Sequence, residues 1–84
     1  MNKKNKQTYE AIYQNPIRSD IKWSDVVSLF RSLGAKSEER AGSRVSFELN
    51  GYVSVFHRPH PGDIIVKGAV KSIRKFLDNI EVEL

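Results

Sequence analysis

Two kinds of periodicity divide the chain. Tyr9, Ile12 and Tyr13 recur at i, i+3 and i+4, which predicts a short amphipathic helix from about Lys4 to Gln14, stopped before Pro16. Trp23, Val26, Val27, Phe30 and Leu33 form a second apolar stripe. It predicts a helix from about Ser24 to Leu33, with Asp25 in its first turn and Gly34 just past its end. Trp23 and Phe30 lie on or beside that stripe and read as core. The pattern then changes to alternation. Arg44–Leu49 and Tyr52–His57 flank Asn50-Gly51, two residues that tolerate the positive φ values of a type I′ turn. Counting outward from that turn pairs Leu49 with Tyr52, Phe47 with Ser54 and Val45 with Phe56 on the more apolar face. It pairs Glu48 with Val53, Ser46 with Val55 and Arg44 with His57 on the other face.

Ala35–Glu39 is expected as a short edge strand guarded by its charges, and Ala41-Gly42-Ser43 as the loop feeding the hairpin. Pro59 and Pro61 stop the ribbon, Gly62-Asp63 completes a turn, and Ile64-Ile65-Val66 reads as a short extended segment or a connector laid against the core. The last helix runs from Lys67 to about Asn79. Val70, Ile73, Phe76 and Leu77 occupy one face, and Lys67, Lys71, Arg74 and Lys75 the opposite one. The expected order is therefore a helix followed by α-β-β-β-α. That is an α+β fold, a three-stranded antiparallel sheet with two helices on one face and the other face open.

With 84 residues the chain makes one domain, 1–84, which buries only about 60–65% of the surface its unfolded form exposes. Residues 1–20 read as an N-terminal extension helix packed on it. Such a domain has no room for a deep cofactor cavity, and no cofactor is expected. The absence of cysteine removes any disulfide framework or thiolate metal site and suits a reducing cytoplasm. No apolar run has the length of a membrane span, and the Lys-rich start lacks the apolar core of a signal peptide.

A formal charge of +4 favours an acidic partner such as nucleic acid. Its distribution is more telling than its total. Between residues 40 and 75 stand Arg40, Arg44, Arg58, Lys67, Lys71, Arg74 and Lys75, against Glu48 and Asp63 alone. From Asp78 onward the sign reverses, with Glu81 and Glu83. The positive field belongs to the hairpin and the helix after it.

That element order carries Gly42-Ser43 before a strand, Val53-Ser54-Val55 leading into His57, and Lys67-Gly68-Ala69-Val70-Lys71-Ser72-Ile73 opening the last helix. In these features the chain resembles the HicA toxins, the small ribonucleases of bacterial HicA–HicB toxin–antitoxin modules. The resemblance covers about residues 23–79. It implies a fold like the double-stranded RNA-binding domain, an endoribonuclease (mRNA interferase) activity on messenger RNA, and inhibition by a HicB-like antitoxin. The protein would be a cytoplasmic monomer when free and a hetero-oligomer with its antitoxin. The family pattern is Gly-Ser-His, with that histidine held responsible for cleavage. Here the matching position is Arg44.

Cleaving RNA without a metal needs a base for the 2′-hydroxyl, an acid for the leaving 5′-oxygen, and cations for the phosphate. Histidine suits the proton transfers, and arginine's planar fork suits the charge. His57, the cross-strand neighbour of Arg44, would move the proton-transfer role by one strand spacing, about 5 Å. His60 is the candidate second acid or base. Arg44, Arg58, Lys67, Lys71, Arg74 and Lys75 are the candidate RNA- and phosphate-binding residues. A plainer reading has both histidines only satisfying hydrogen bonds in a rigid proline loop. A metal site from His57, His60 and Asp63 lacks a further nearby ligand, so no metal is expected. Ser43, Ser46 and Ser54 make no hydrolase triad. The rivals to a toxin are a non-catalytic RNA-binding module and a protein-interaction domain of the same fold.

Overall fold

A computed structural model describes residues 1–80. Its elements are α1 (Lys3–Ile12), α2 (Trp23–Ser32), β1 (Lys36–Arg40), β2 (Arg44–Leu49), β3 (Tyr52–His57) and α3 (Lys67–Ile80). After α1 the order is α-β-β-β-α, an α+β fold with a three-stranded antiparallel sheet in the order β1-β2-β3. The bounds of β2 and β3 match the sequence reading, and those of the other elements differ from it by at most two residues. At the end of α1, Tyr13 and Gln14 donate back to Glu10 and Ala11 in tightened i→i−3 fashion, so the helix closes before Gln14.

Local chemistry sets the ends of the other elements. Asn2 accepts the Asn5 N–H through its side chain at 2.8 Å and so caps α1. Past the end of α2, Gly34 adopts φ 93°. Its N–H donates to Arg31 while the Ala35 N–H donates to Phe30, both at 3.0 Å, which closes a Schellman motif. Asn50 and Gly51 take φ 54° and 82°, as a type I′ turn requires. The β2–β3 register then pairs Arg44 with His57, Val45 with Phe56, and so on out to Leu49 with Tyr52, as expected. β1 joins β2 through a second tight connection, with Lys36 opposite Glu48 and Arg40 opposite Arg44.

Val45, Phe47 and Phe56 point from the sheet into the core, where they meet Trp23 and Phe30 of α2 and Phe76 of α3. Phe30 sits at the centre, edge-on to Phe47 at 4.9 Å and to Phe76 at 5.2 Å between ring centroids. Such pairs add about 0.5–1.5 kcal/mol each beyond area burial. Both helices therefore cover one sheet face and leave the other to solvent. Two positions depart from simple alternation. Tyr52, on the core-facing parity, is 46% exposed because it stands at the hairpin tip. Ser46, on the open face, is buried because it is a small side chain on the middle strand, flanked by Glu38 and Val55.

The first helix is tied into this layer. Ile12 is fully buried in the common core, and Asn5 accepts a hydrogen bond from Ser28 of α2 at 3.0 Å. Arg74 of α3 donates to the carbonyls of Ile12 (2.6 Å) and Gln14 (2.7 Å) and to the Asn15 side chain (3.3 Å). Tyr13 donates to Asp78 at 2.5 Å. Burial, and secondarily this carboxylate, pushes the Tyr13 phenol pKa well up.

Candidate nucleic-acid interface

The two hairpins bring three charged or titratable residues into one row. Arg40 lies opposite Arg44, and Arg44 lies opposite His57, so the three side chains share the open face at one end of the sheet. All three are exposed. Their placement follows from two turns. Asn50-Gly51 fixes the phase of His57. Gly42 and Ser43, at φ 72° and 61°, fold β1 back so that Arg40 meets Arg44. The Arg44 guanidinium leans over that second turn, its Nε donating to the Ala41 carbonyl at 2.9 Å. Its terminal N–H groups have no partner among the described residues. The row can therefore present two cationic forks and an imidazole to one anionic group.

The remaining candidates divide. Arg58 follows His57 but has the opposite parity. It turns to the helix side of the sheet and pairs with Glu39 of β1, while its backbone N–H donates to Ser43 at 2.9 Å. That ion pair is exposed and is worth about 0–1 kcal/mol, so a phosphate can compete for Arg58. Lys67, Lys71 and Lys75 are exposed along one stripe of α3. Arg74 differs from them. It is half-buried, with three donor groups occupied by the end of α1, which removes it from the solvent-facing arc that helical periodicity assigned to it.

His57 stands on the rim of a largely apolar groove of about 320 Å³ between β3 and the start of α3. His60 is exposed in the next loop and does not line that groove. Neither imidazole makes a hydrogen bond or ion pair with another described residue. The proline loop therefore gives them no structural duty of that kind. Asp63 points elsewhere. Its carbonyl accepts the Trp23 N–H at 2.6 Å, and its carboxylate accepts from the Ser24 N–H (3.2 Å) and hydroxyl (2.6 Å), capping the start of α2 across the chain. Among the described residues, no three His, Cys, Asp or Glu side chains gather to hold a metal ion.

Arg40 is the residue that sequence reasoning left outside the site. Ending β1 at Glu39 left it between the strand and the loop. The signal was available in Ala41-Gly42-Ser43, which is short enough to place Arg40 directly across from Arg44. No helix of the described residues is long and apolar enough to cross a membrane.

No curated protein and no solved structure gives a significant match to the chain. A family model described as the HicA toxin of bacterial toxin–antitoxin systems matches residues 23–78, from the first residue of α2 to the last turn of α3. This span takes in both hairpins, the Arg40–Arg44–His57 row and the lysine stripe, and with it the chain belongs to the HicA toxin family.

Proposed function

We propose that this toxin is an endoribonuclease that cleaves messenger RNA by metal-independent acid–base chemistry on the open sheet face. The observation that carries the reading is the Arg40–Arg44–His57 row, which sets an exposed imidazole beside two exposed arginines on the sheet face that the described helices leave open. A phosphodiester held by the arginine forks places its ribose next to His57. One histidine takes the 2′-hydroxyl proton as that oxygen attacks the adjacent phosphorus. The P–O5′ bond breaks, and the other histidine protonates the departing 5′-oxygen, leaving a 2′,3′-cyclic phosphate and a free 5′-hydroxyl. His57 and His60 fill these two roles. The arginines stabilise charge on the phosphorane, with Arg44 in the place where the family pattern has histidine.

Lys67, Lys71, Lys75 and Arg58 contribute to affinity for the flanking strand rather than to chemistry. Arg74 acts at a distance, by fixing α1 against α3. The whole chain works as one unit in the cytoplasm, monomeric when free. A HicB-like antitoxin joins it in a hetero-oligomer and covers the Arg44 and His57 neighbourhood.

The test is growth after induction of wild type and of His57→Ala, together with gel analysis of purified protein on single-stranded RNA. Arrest and cleavage by wild type, and neither by His57→Ala, are expected. Arg44 itself favours one rival, a module that binds RNA but has lost catalysis with the family's histidine. Tight RNA binding with no cleavage by wild type would establish that rival.

A further inference from the structure

The two edges of the sheet are guarded differently. β1 reads Lys36-Ser37-Glu38-Glu39-Arg40 and is exposed throughout. Charges of this kind are how natural sheets keep other chains off an edge. β3 lies at the opposite edge, and no described strand pairs with its outer side. It carries Val53 and Val55, 60% and 46% exposed, with no charge before His57. The hydrogen bond from Arg58 N–H to the Ser43 carbonyl fixes the phase of the β2–β3 ladder. Pairs alternate from there, so Phe56, Ser54 and Tyr52 direct their backbone groups at β2. The N–H and C=O groups of Val53, Val55 and His57 point away from it, along the free edge.

That edge opens onto a trough. Grooves of about 320 and 260 Å³ run between β3 and α3 and share Ser72. Val55, Ile65 and Ala69 line the first, and Tyr52, Val53 and Lys75 line the second. Together they follow the six residues of β3, a length of about 20 Å for extended chain. Ile64 and Val66 beside the first groove are apolar yet 46% and 71% exposed. The lysine stripe of α3 flanks the outer wall, and Arg44 lies one strand inside His57.

We infer that the outer edge of β3 receives an extended segment of a partner protein as an added strand, in which acidic residues alternate with apolar ones. Main-chain bonds form to Val53, Val55 and His57. Apolar side chains drop into the trough on the α3 side, and the alternate carboxylates stand on the open face, on the side of His57 and Arg44. A second copy of the chain is disfavoured as the occupant, because edge-to-edge pairing sets two lysine stripes against each other. The partner's identity as the antitoxin rests on the proposed function, and the strand would then cover His57 directly.

The probe is an acetylated, amidated peptide of alternating Glu and Val, matched in length to β3, titrated into the ¹⁵N-labelled full chain. The expected result is slowed amide exchange at Val53, Val55 and His57, and no binding by the same peptide N-methylated at every second residue. Val55→Pro removes an N–H that the ladder does not use and should weaken binding about tenfold. Val55→Glu leaves the backbone intact and should weaken binding through repulsion of the acidic peptide, which keeps the test decisive if proline disturbs the strand. Equal binding by the N-methylated peptide, or shifts confined to the α3 lysines, would overturn the inference. So would amides already slow to exchange in the protein alone, self-association that protects them, or protection by a short RNA and not by the peptide. None of these readouts depends on toxicity. A failed growth assay therefore counts against the ribonuclease reading, and a failed titration against the added strand.

Discussion

The guanidinium of Arg74 donates to the carbonyl oxygen of Ile12 at 2.6 Å, so a base of α3 closes the C-terminal end of α1. With Gln14 and Asn15 also accepting from it, Arg74 satisfies a helix end that would otherwise need water. Arg74→Ala is expected to cost about 2–3 kcal/mol, or a Tm drop on the order of 10–20 °C for a domain this small. Arg74→Lys should recover only part of this, since an ammonium cannot reproduce the planar fork. Urea and thermal unfolding check both. A stable Arg74→Ala variant with weakened RNA binding would return Arg74 to the binding surface.

The lysine stripe should behave in the opposite way. Replacing Lys71 and Lys75, both exposed, with Ala should leave the core untouched and, if RNA runs along this stripe as proposed, remove two phosphate contacts. At about 0.7 per contact for single strands, the slope of log K against log salt should flatten by about 1.4. The free energy of unfolding should stay within about 0.5 kcal/mol of wild type. An unchanged salt slope would place RNA elsewhere.

The open-face row makes a sharper prediction about catalysis. His57→Ala should lower the cleavage rate by about 10²–10⁴-fold while keeping the fold and most RNA affinity, because its exposed imidazole has no partner among the described residues. On the proposed mechanism, Arg44→Ala should slow cleavage through lost charge stabilisation, and Arg44→His should stay at least partly active, since it creates the Gly-Ser-His that the resemblance implies for this position. The double variant His57→Ala/His60→Ala is the decisive one. Folded and as toxic as wild type, it would remove both histidines from the mechanism.

Tyr13 supplies a pH signature. Its phenol is held above the ordinary value of 10.0, by burial first and by Asp78 second, so folding favours the neutral form. The associated stability is complete below the ordinary value and is lost as pH rises from there through the raised one. Wild type should therefore lose stability above about pH 10 more steeply than Tyr13→Phe. Denaturant midpoints across that range check the difference, and parallel curves would refute the buried link.

The hairpin was legible in the sequence because its information is local. Asn50-Gly51 fixes the turn, the turn fixes the register, and the register puts Arg44 beside His57 with no long-range knowledge. The core faces of α2 and α3 were legible for the same reason, through their helical spacing. What stayed hidden is held by contacts remote in sequence. Arg74 looks like one more surface base on a helical wheel, and only the arrival of α1, 62 residues away, gives it a different role. Asp63 looked like a turn residue or a metal donor until α2 came to lie against it, 39 residues away. Arg40 needed only a one-residue change in where β1 ends.

The capping of α2 by Asp63 has a kinetic side. The loop from Pro59 to Gly62 is anchored at one end by the Arg58–Ser43 bond and at the other by Asp63 on Trp23 and Ser24. It cannot swing away as a free flap, because releasing its far end strips the first turn of a helix whose Trp23 is buried in the core. Releasing Asp63 and opening the first turn of α2 are therefore one event, and exchange at the Ser24 amide reports it. A substrate that needs this loop to move must draw on the stability of the fold itself.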